Sequence, residues 1–152
     1  MKFLKLTMAS LLVSTALFAG NYNVDVSHSN VGFKVKHMMI SNVSGKFNDI
    51  SGNFEYDETT NTLKALSGEI IVASINTADE KRDKHLKTEE LFDAAQFPKI
   101  TFNATKIEKS AVYGDLTIKG ITKYIKLDLQ NGGVITDPWG KQRAGFELEG
   151  KI

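Results

Sequence analysis

Residues 75–102 read INTADEKRDKHLKTEELFDAAQFPKITF and differ from the rest of the chain, which is mostly made of short alternating segments. This stretch is rich in charged residues and good helix formers. Glu80 and Lys84 are spaced to pair on one face of a helix, and Pro98 then stops helical structure. The sequence therefore predicts a helical insertion around residues 77–97, set between strands that precede and follow it.

The start of this insertion carries two capping signals. Thr77 followed three residues later by Glu80 is a capping-box pattern, and Thr88 is placed to cap a second helix. Arg82 and Asp83 lie in a charged cluster on the first helix. We interpret this cluster mainly as an anchor that holds the insertion to the strands, with contact to a ligand headgroup as the alternative.

Alternating apolar and polar residues on both sides of the insertion predict half-buried strands. The clearest cases are VGFKVKH at residues 31–37 and ITKYIKLDLQ at residues 121–130, and the latter is expected to end at the glycines 132–133. Lys119 and Gly120 have the spacing of a two-residue hairpin turn, and DPWG at residues 137–140 predicts a type I turn. About eight such strands indicate an all-β, mainly antiparallel barrel or sandwich.

The first 19 residues have the pattern of an export signal. Lys2 and Lys5 precede a short apolar run, which is shorter than the roughly 20 residues needed to span a membrane. We therefore predict a cleavable signal peptide at residues 1–19 and one domain at residues 20–152. No other apolar run is long enough for a membrane span.

The amino-acid composition excludes several classes of function. The 19 basic and 18 acidic residues nearly balance, so there is no basic excess to bind nucleic acid or an anionic membrane. The chain has no cysteine, which excludes thiol catalysis, cysteine zinc sites and a lipid-modified N-terminal cysteine. An exported chain without disulfides has to be held together by burial.

Catalytic and metal sites are not indicated by the polar residues. His28, His37 and His85 are far apart and do not have the spacing of metal ligands. Asp25, Ser27 and His28 invite comparison with a hydrolase triad, but adjacent residues of a strand point to opposite faces, and a GxSxG motif is missing. We predict no catalytic residue and no metal ligand.

Five segments resemble the YceI-like family. They are YNVDVSHSNVGFKVKH at residues 22–37, SNVSGKFNDISGNFEYD at 41–57, ASINTADEKRDKHLKTEELFDAAQFPKITFNAT at 73–105, VYGDLTIKGITKYIKLDL at 112–129 and DPWGKQRAGFELEG at 137–150. The resemblance implies a lipocalin-like eight-stranded antiparallel barrel, exported to the periplasm. It also implies a carrier without enzymatic activity or covalent cofactor, and often a homodimer.

The ligand implied by the resemblance is a long apolar lipid, such as a polyisoprenoid, an isoprenoid quinone or a fatty-acid amide. An apolar tunnel binds such a chain by burial, at about 25 cal/mol per Å². The predicted ligand contacts are the apolar residues that alternate along the strands or occur in the insertion and the turns: Val31, Phe33, Val35, Met39, Phe47, Phe54, Phe92, Phe97, Ile100, Phe102, Leu116, Ile118, Trp139 and Phe146.

Two alternatives stay open at this point. A barrel of about eight strands can be filled by its own side chains, which would make the protein a structural or stress accessory domain. An enzyme acting on a lipid would need polar groups that converge in the cavity. Family members also continue past the segment matching GFELEGKI at residues 145–152 with a closing strand, so we expect an incompletely closed barrel.

Overall fold

The computed structural model describes residues 20–37 and 40–152. The predicted signal peptide at residues 1–19 and the predicted ligand contact Met39 lie outside these ranges. The described residues form ten strands and one α-helix. In chain order these are β1 (Gly20–Asn23), β2 (Val31–His37), β3 (Ser41–Phe47), β4 (Ile50–Asp57), β5 (Thr62–Ile71), β6 (Ile75–Asn76), α1 (Glu80–Leu86), β7 (Lys99–Ile107), β8 (Ala111–Ile118), β9 (Ile121–Thr136) and β10 (Gln142–Glu149).

The strands form a nearly closed, barrel-like antiparallel arrangement, as predicted. Seven strands lie in the order β1-β4-β5-β7-β8-β9-β10, and β2-β3-β6 form a second, smaller sheet. The number of strands exceeds the predicted eight because the chain turns corners. The 3₁₀ helix Val72–Ser74 separates β5 from β6, and residues 24–30 separate β1 from β2.

The predicted helical insertion is shorter than expected. Asp79, and not Thr77, caps α1, because its carboxylate accepts a hydrogen bond of 3.0 Å from the backbone N–H of Arg82. Ala78 has a φ of 61°, so the chain is not helical between Thr77 and α1. The capping box predicted for Thr77 and Glu80 is therefore wrong.

The second predicted helix is also wrong, since residues 87–97 form a series of turns. The hydroxyl of Thr88 donates back to the carbonyl of His85 at 2.7 Å and does not cap a new helix. Asp93 has a φ of 48°, and the backbone N–H of Phe92 donates to the carbonyl of Leu86. These contacts close α1 and fold the following residues back over it.

Both predicted turns are confirmed. Lys119 and Gly120 have φ values of 50° and 72°, as a type I′ hairpin requires, between the paired residues Ile118 and Ile121. The backbone N–H of Gly140 donates to the carbonyl of Asp137 at 3.0 Å.

The glycines 132–133 were expected to end a strand, but β9 continues through them to Thr136. The register of β9 with β10 shifts at this point, because Gly145 pairs with Gly133 and Phe146 pairs with Asn131. Glycine accommodates such a bulge without loss of the strand.

Two apolar clusters fill the interior. The first is built around Phe47, Ile50, Val72, Ile75 and Ile100 and includes side chains from α1 and the following turns. The second is built around Phe54, Tyr56, Leu63, Val112 and Leu129. The rings of Phe54 and Phe146 meet edge to face at 5.0 Å between centroids, which joins β4 to β10 across the interior.

Candidate functional site

A cleft of about 440 Å³ lies between the residues that follow α1 and the hairpin of β8 and β9. Its volume falls in the range of roughly 300–1,000 Å³ that is typical of small-molecule sites. Most of its wall is aliphatic or aromatic, with three charged side chains among the lining residues. The wall consists of Leu86, Glu90, Leu91, Phe92, Leu116, Ile118, Lys119, Ile121, Lys123, Ile125 and Ile152.

The register of β8 and β9 determines which side chains face the cleft. Leu116 lies directly opposite Lys123, and Ile118 lies opposite Ile121. Directly paired residues of antiparallel strands project from the same face of the sheet. Leu116 and Ile118 also pack against the first apolar cluster, so this face of the hairpin is the inner one.

Residues 87–97 cover this part of the hairpin through two contacts. The ammonium group of Lys119 donates to the carbonyl oxygen of Glu89 at 2.7 Å. A Cβ atom on Gly120 would come within 2.7 Å of the ring of Phe97, so the ring sits directly against the turn. Phe92 contacts Phe47 edge to face at 6.2 Å, which ties the cover to the interior.

A polar network anchors α1 to the end of β6, as the sequence predicts for Arg82 and Asp83. Asp83 Oδ1 accepts hydrogen bonds from the backbone N–H of Thr77 at 2.9 Å and from its hydroxyl at 2.6 Å. Arg82 Nε donates to the same hydroxyl, and its Nη2 donates to the Thr77 carbonyl, both at 2.8 Å. The charged cluster is therefore directed at the protein and away from the cleft.

The structure separates the predicted ligand contacts into several groups. Phe92, Leu116 and Ile118 line the cleft. Val31, Phe33, Phe47 and Ile100 belong to the first apolar cluster, and Phe54, Phe102 and Phe146 belong to the second. Phe97 packs on the turn at Gly120.

Two predicted contacts are not brought to the interior. Val35 is 51% exposed, although Val31 and Phe33 on the same face of β2 pack against the first apolar cluster. Trp139 is 81% exposed because it occupies the tip of the turn at residues 137–140.

The ligand contacts predicted from the sequence omit several residues that line the cleft, mainly on β9 and after α1. Ile121, Lys123 and Ile125 alternate along β9, and this pattern was sufficient to place them on one face. The sequence did not reveal that the turns after α1 would fold over that face, which brings Leu91 and Glu90 to it.

Asp25, Ser27 and His28 do come together, but not as a catalytic triad. Ser27 Oγ lies 2.6 Å from Asp25 Oδ1 and 3.0 Å from His28 Nδ1, while the same Nδ1 lies 2.9 Å from Asp25 Oδ2. A triad needs the serine and the carboxylate on different ring nitrogens. The hydrogen bonds from Ser27, and then from His28, instead hold the pKa of Asp25 well below its usual range.

Comparison with known proteins identifies the family. A model of the YceI-like domain matches residues 22–152. The chain belongs to the YceI-like family. A YceI protein of Salmonella newport is 38% identical over 153 residues, which cover 96% of this chain and 80% of that protein. A UPF0312 protein of Photorhabdus laumondii is 37% identical over 150 residues, covering 95% of this chain and 78% of the other.

A solved YceI structure has the same fold. The crystal structure of the Campylobacter jejuni YceI protein superimposes with a TM-score of 0.70 at 41% identity, covering 86% of this chain and 80% of the other. Across residues 20–37 and 40–152, no group of histidine and acidic side chains has the geometry of a metal site. Over the same ranges, no helix has both the length and the apolar character of a membrane span.

Proposed function

We propose that this YceI-like protein is an exported carrier that holds the tail of a long apolar lipid in the cleft between β8, β9 and residues 86–92. The observation that carries the proposal is the cleft itself. It is about 440 Å³ in volume and mainly apolar, and it lies on the inner face of the β8–β9 hairpin.

Burial of apolar surface supplies the binding energy in this proposal. Leu91 and Ile121 line the cleft, yet they are 40% and 63% exposed. Each methylene group that a lipid tail removes from water stabilises the complex by about 0.8 kcal/mol, and the exposed lining residues gain burial in the same step. A polyisoprenoid or fatty-acid chain has no polar groups along its tail, so the apolar wall leaves nothing unsatisfied.

The export pattern of residues 1–19 supports a periplasmic location for this carrier. The geometry of Asp25, Ser27 and His28 favours binding over catalysis, because the serine and the carboxylate compete for one histidine nitrogen. The predicted homodimer stays a prediction.

The proposal is tested on protein purified from the periplasm of a cell that produces it naturally. Solvent extraction and mass spectrometry are expected to release an apolar lipid from the folded protein. Ile121→Glu places a charge in the cleft at an exposed position, so it should abolish the bound lipid without unfolding the protein. Ile135→Glu is the control, because Ile135 is 66% exposed on the same strand but is not a lining residue.

Folded wild-type protein that carries no lipid would argue against the proposal and in favour of a filled barrel. Lipid that survives Ile121→Glu as well as Ile135→Glu would place the ligand elsewhere in the molecule.

A further inference from the structure

Lys123 occupies an unusual place on β9. Its neighbours on the same face are Ile121 and Ile125, and it lies directly opposite Leu116 on β8. The side chain is exposed, so it lies at the open side of the cleft. A lysine in this setting can lay its aliphatic stem along an apolar wall while its ammonium group stays in water.

The charge of Lys123 has no counterpart. Among residues 20–37 and 40–152, neither an ion pair nor a hydrogen bond engages its ammonium group. Lys119, the second lysine of the cleft, donates to the carbonyl of Glu89, which leaves its charge uncompensated.

Glu90, the acidic side chain among the lining residues of the cleft, does not pair with either lysine. Its carboxylate lies 4.0 Å from Nε2 of His85. Its side chain is 79% exposed. Within the part of the chain that the structure describes, the cleft therefore combines an apolar wall with two lysines that form no ion pair, and this arrangement complements an amphiphile with an anionic head.

We propose that Lys123 makes the cleft selective for single-chain lipids with a carboxylate headgroup. The tail lies along Leu116, Ile118 and Ile121, and the carboxylate meets the ammonium group of Lys123, with Lys119 adding to the local positive potential. This inference rests on the proposed lipid-binding function and adds the chemistry of the headgroup. A volume of about 440 Å³ suits one chain better than a two-chain phospholipid.

The test compares two ligands that differ only in their heads. Oleate and oleyl alcohol are titrated calorimetrically, below their aggregation limits, into delipidated full-length protein. Wild type is expected to bind oleate more tightly, and Lys123→Gln is expected to lose about fivefold in oleate affinity with no change for oleyl alcohol. Added salt should weaken oleate binding alone, because exposed charges are screened.

Lys126→Gln is the matched control. Lys126 lies three residues further along β9 on the opposite face, where it pairs with Asp128 at 3.5 Å. The oleate affinity of Lys126→Gln should equal that of wild type.

Equal affinity of wild type for the two ligands would overturn the role of Lys123 and leave the lipid site intact. The same holds if Lys123→Gln binds oleate as tightly as Lys126→Gln does. Failure of wild type to bind either ligand would overturn the proposed function, and with it this inference.

Discussion

The guanidinium group of Arg143 on β10 lies 2.7 Å from the carboxylate of Asp25, which belongs to the segment between β1 and β2. These residues are 118 positions apart in the chain. The Nε of the same arginine donates to the carboxylate of Asp137 at 2.9 Å, and the Asp137 side chain is only 6% exposed. Arg143 therefore connects β10 to the segment after β1 through Asp25, and to the turn between β9 and β10 through Asp137.

Replacing Arg143 with methionine is expected to lower the melting temperature, measured by circular dichroism. The substitution leaves the carboxylate of Asp137 buried without its cationic partner, which costs more than losing an exposed ion pair. Asp25→Asn should have the smaller effect, since Asp25 is more exposed than Asp137. If Asp25→Asn lowers the melting temperature more than the Arg143 substitution does, Arg143 does not stabilise the fold by compensating the charge of Asp137.

Acid should destabilise the protein through the same carboxylates. Hydrogen bonds from the backbone of Lys141 and the side chain of Arg143 lower the pKa of Asp137. A carboxylate with a lowered folded-state pKa stabilises the protein above its unfolded pKa of about 3.9, and this stability is lost as the pH falls through the folded value. In denaturant titrations at a series of pH values, the free energy of unfolding should fall less steeply below about pH 4 for Asp137→Asn than for wild type. If the free energy of unfolding depends on pH in the same way for both proteins, Asp137 is not among the titrating groups.

The hydroxyl of Thr77 is expected to be necessary for anchoring α1. It is buried, donates to Asp83 and accepts from Arg82, so Thr77→Val removes two hydrogen bonds of the network and takes the acceptor away from Arg82 Nε. The free energy of unfolding should fall by about 1–3 kcal/mol in urea titrations. Thr88→Val removes a hydroxyl of the same size from an exposed site and should change stability by less. Equal effects of the two substitutions would show that the network does not hold the helix.

Phe102 provides a test of which face of β7 is the inner one. It packs against the second apolar cluster, so Phe102→Asp should destabilise folding by about 3 kcal/mol or more. Thr105→Asp puts the same charge at an exposed position of β7 and is expected to stay within about 0.5 kcal/mol of wild type. A melting curve of Phe102→Asp that matched wild type would require the opposite register.

The sequence predicts the strands well because their signal is local. The alternation in β9 and the turn at Lys119 and Gly120 depend on neighbouring residues, and both appear as expected. The sequence overestimates the helical insertion because Asp79, one residue past the positive φ of Ala78, competes with Thr77 as the cap. Whether an apolar residue fills a cluster or lines the cleft depends on how distant segments pack. For that reason Phe102 and Leu116, which both alternate along their strands, end in different surroundings: Phe102 packs against the second apolar cluster, and Leu116 lines the cleft.

The location of the ligand is the central claim, and photo-crosslinking measures it directly. Delipidated protein is irradiated with a palmitate that carries a diazirine near the end of its tail, and the modified peptides are identified by mass spectrometry. Adducts should fall on residues 86–92 and on the stretch from Leu116 to Ile125. Adducts confined to other surfaces, such as the exposed Val35 and Trp139, would contradict the assignment of the cleft as the lipid site.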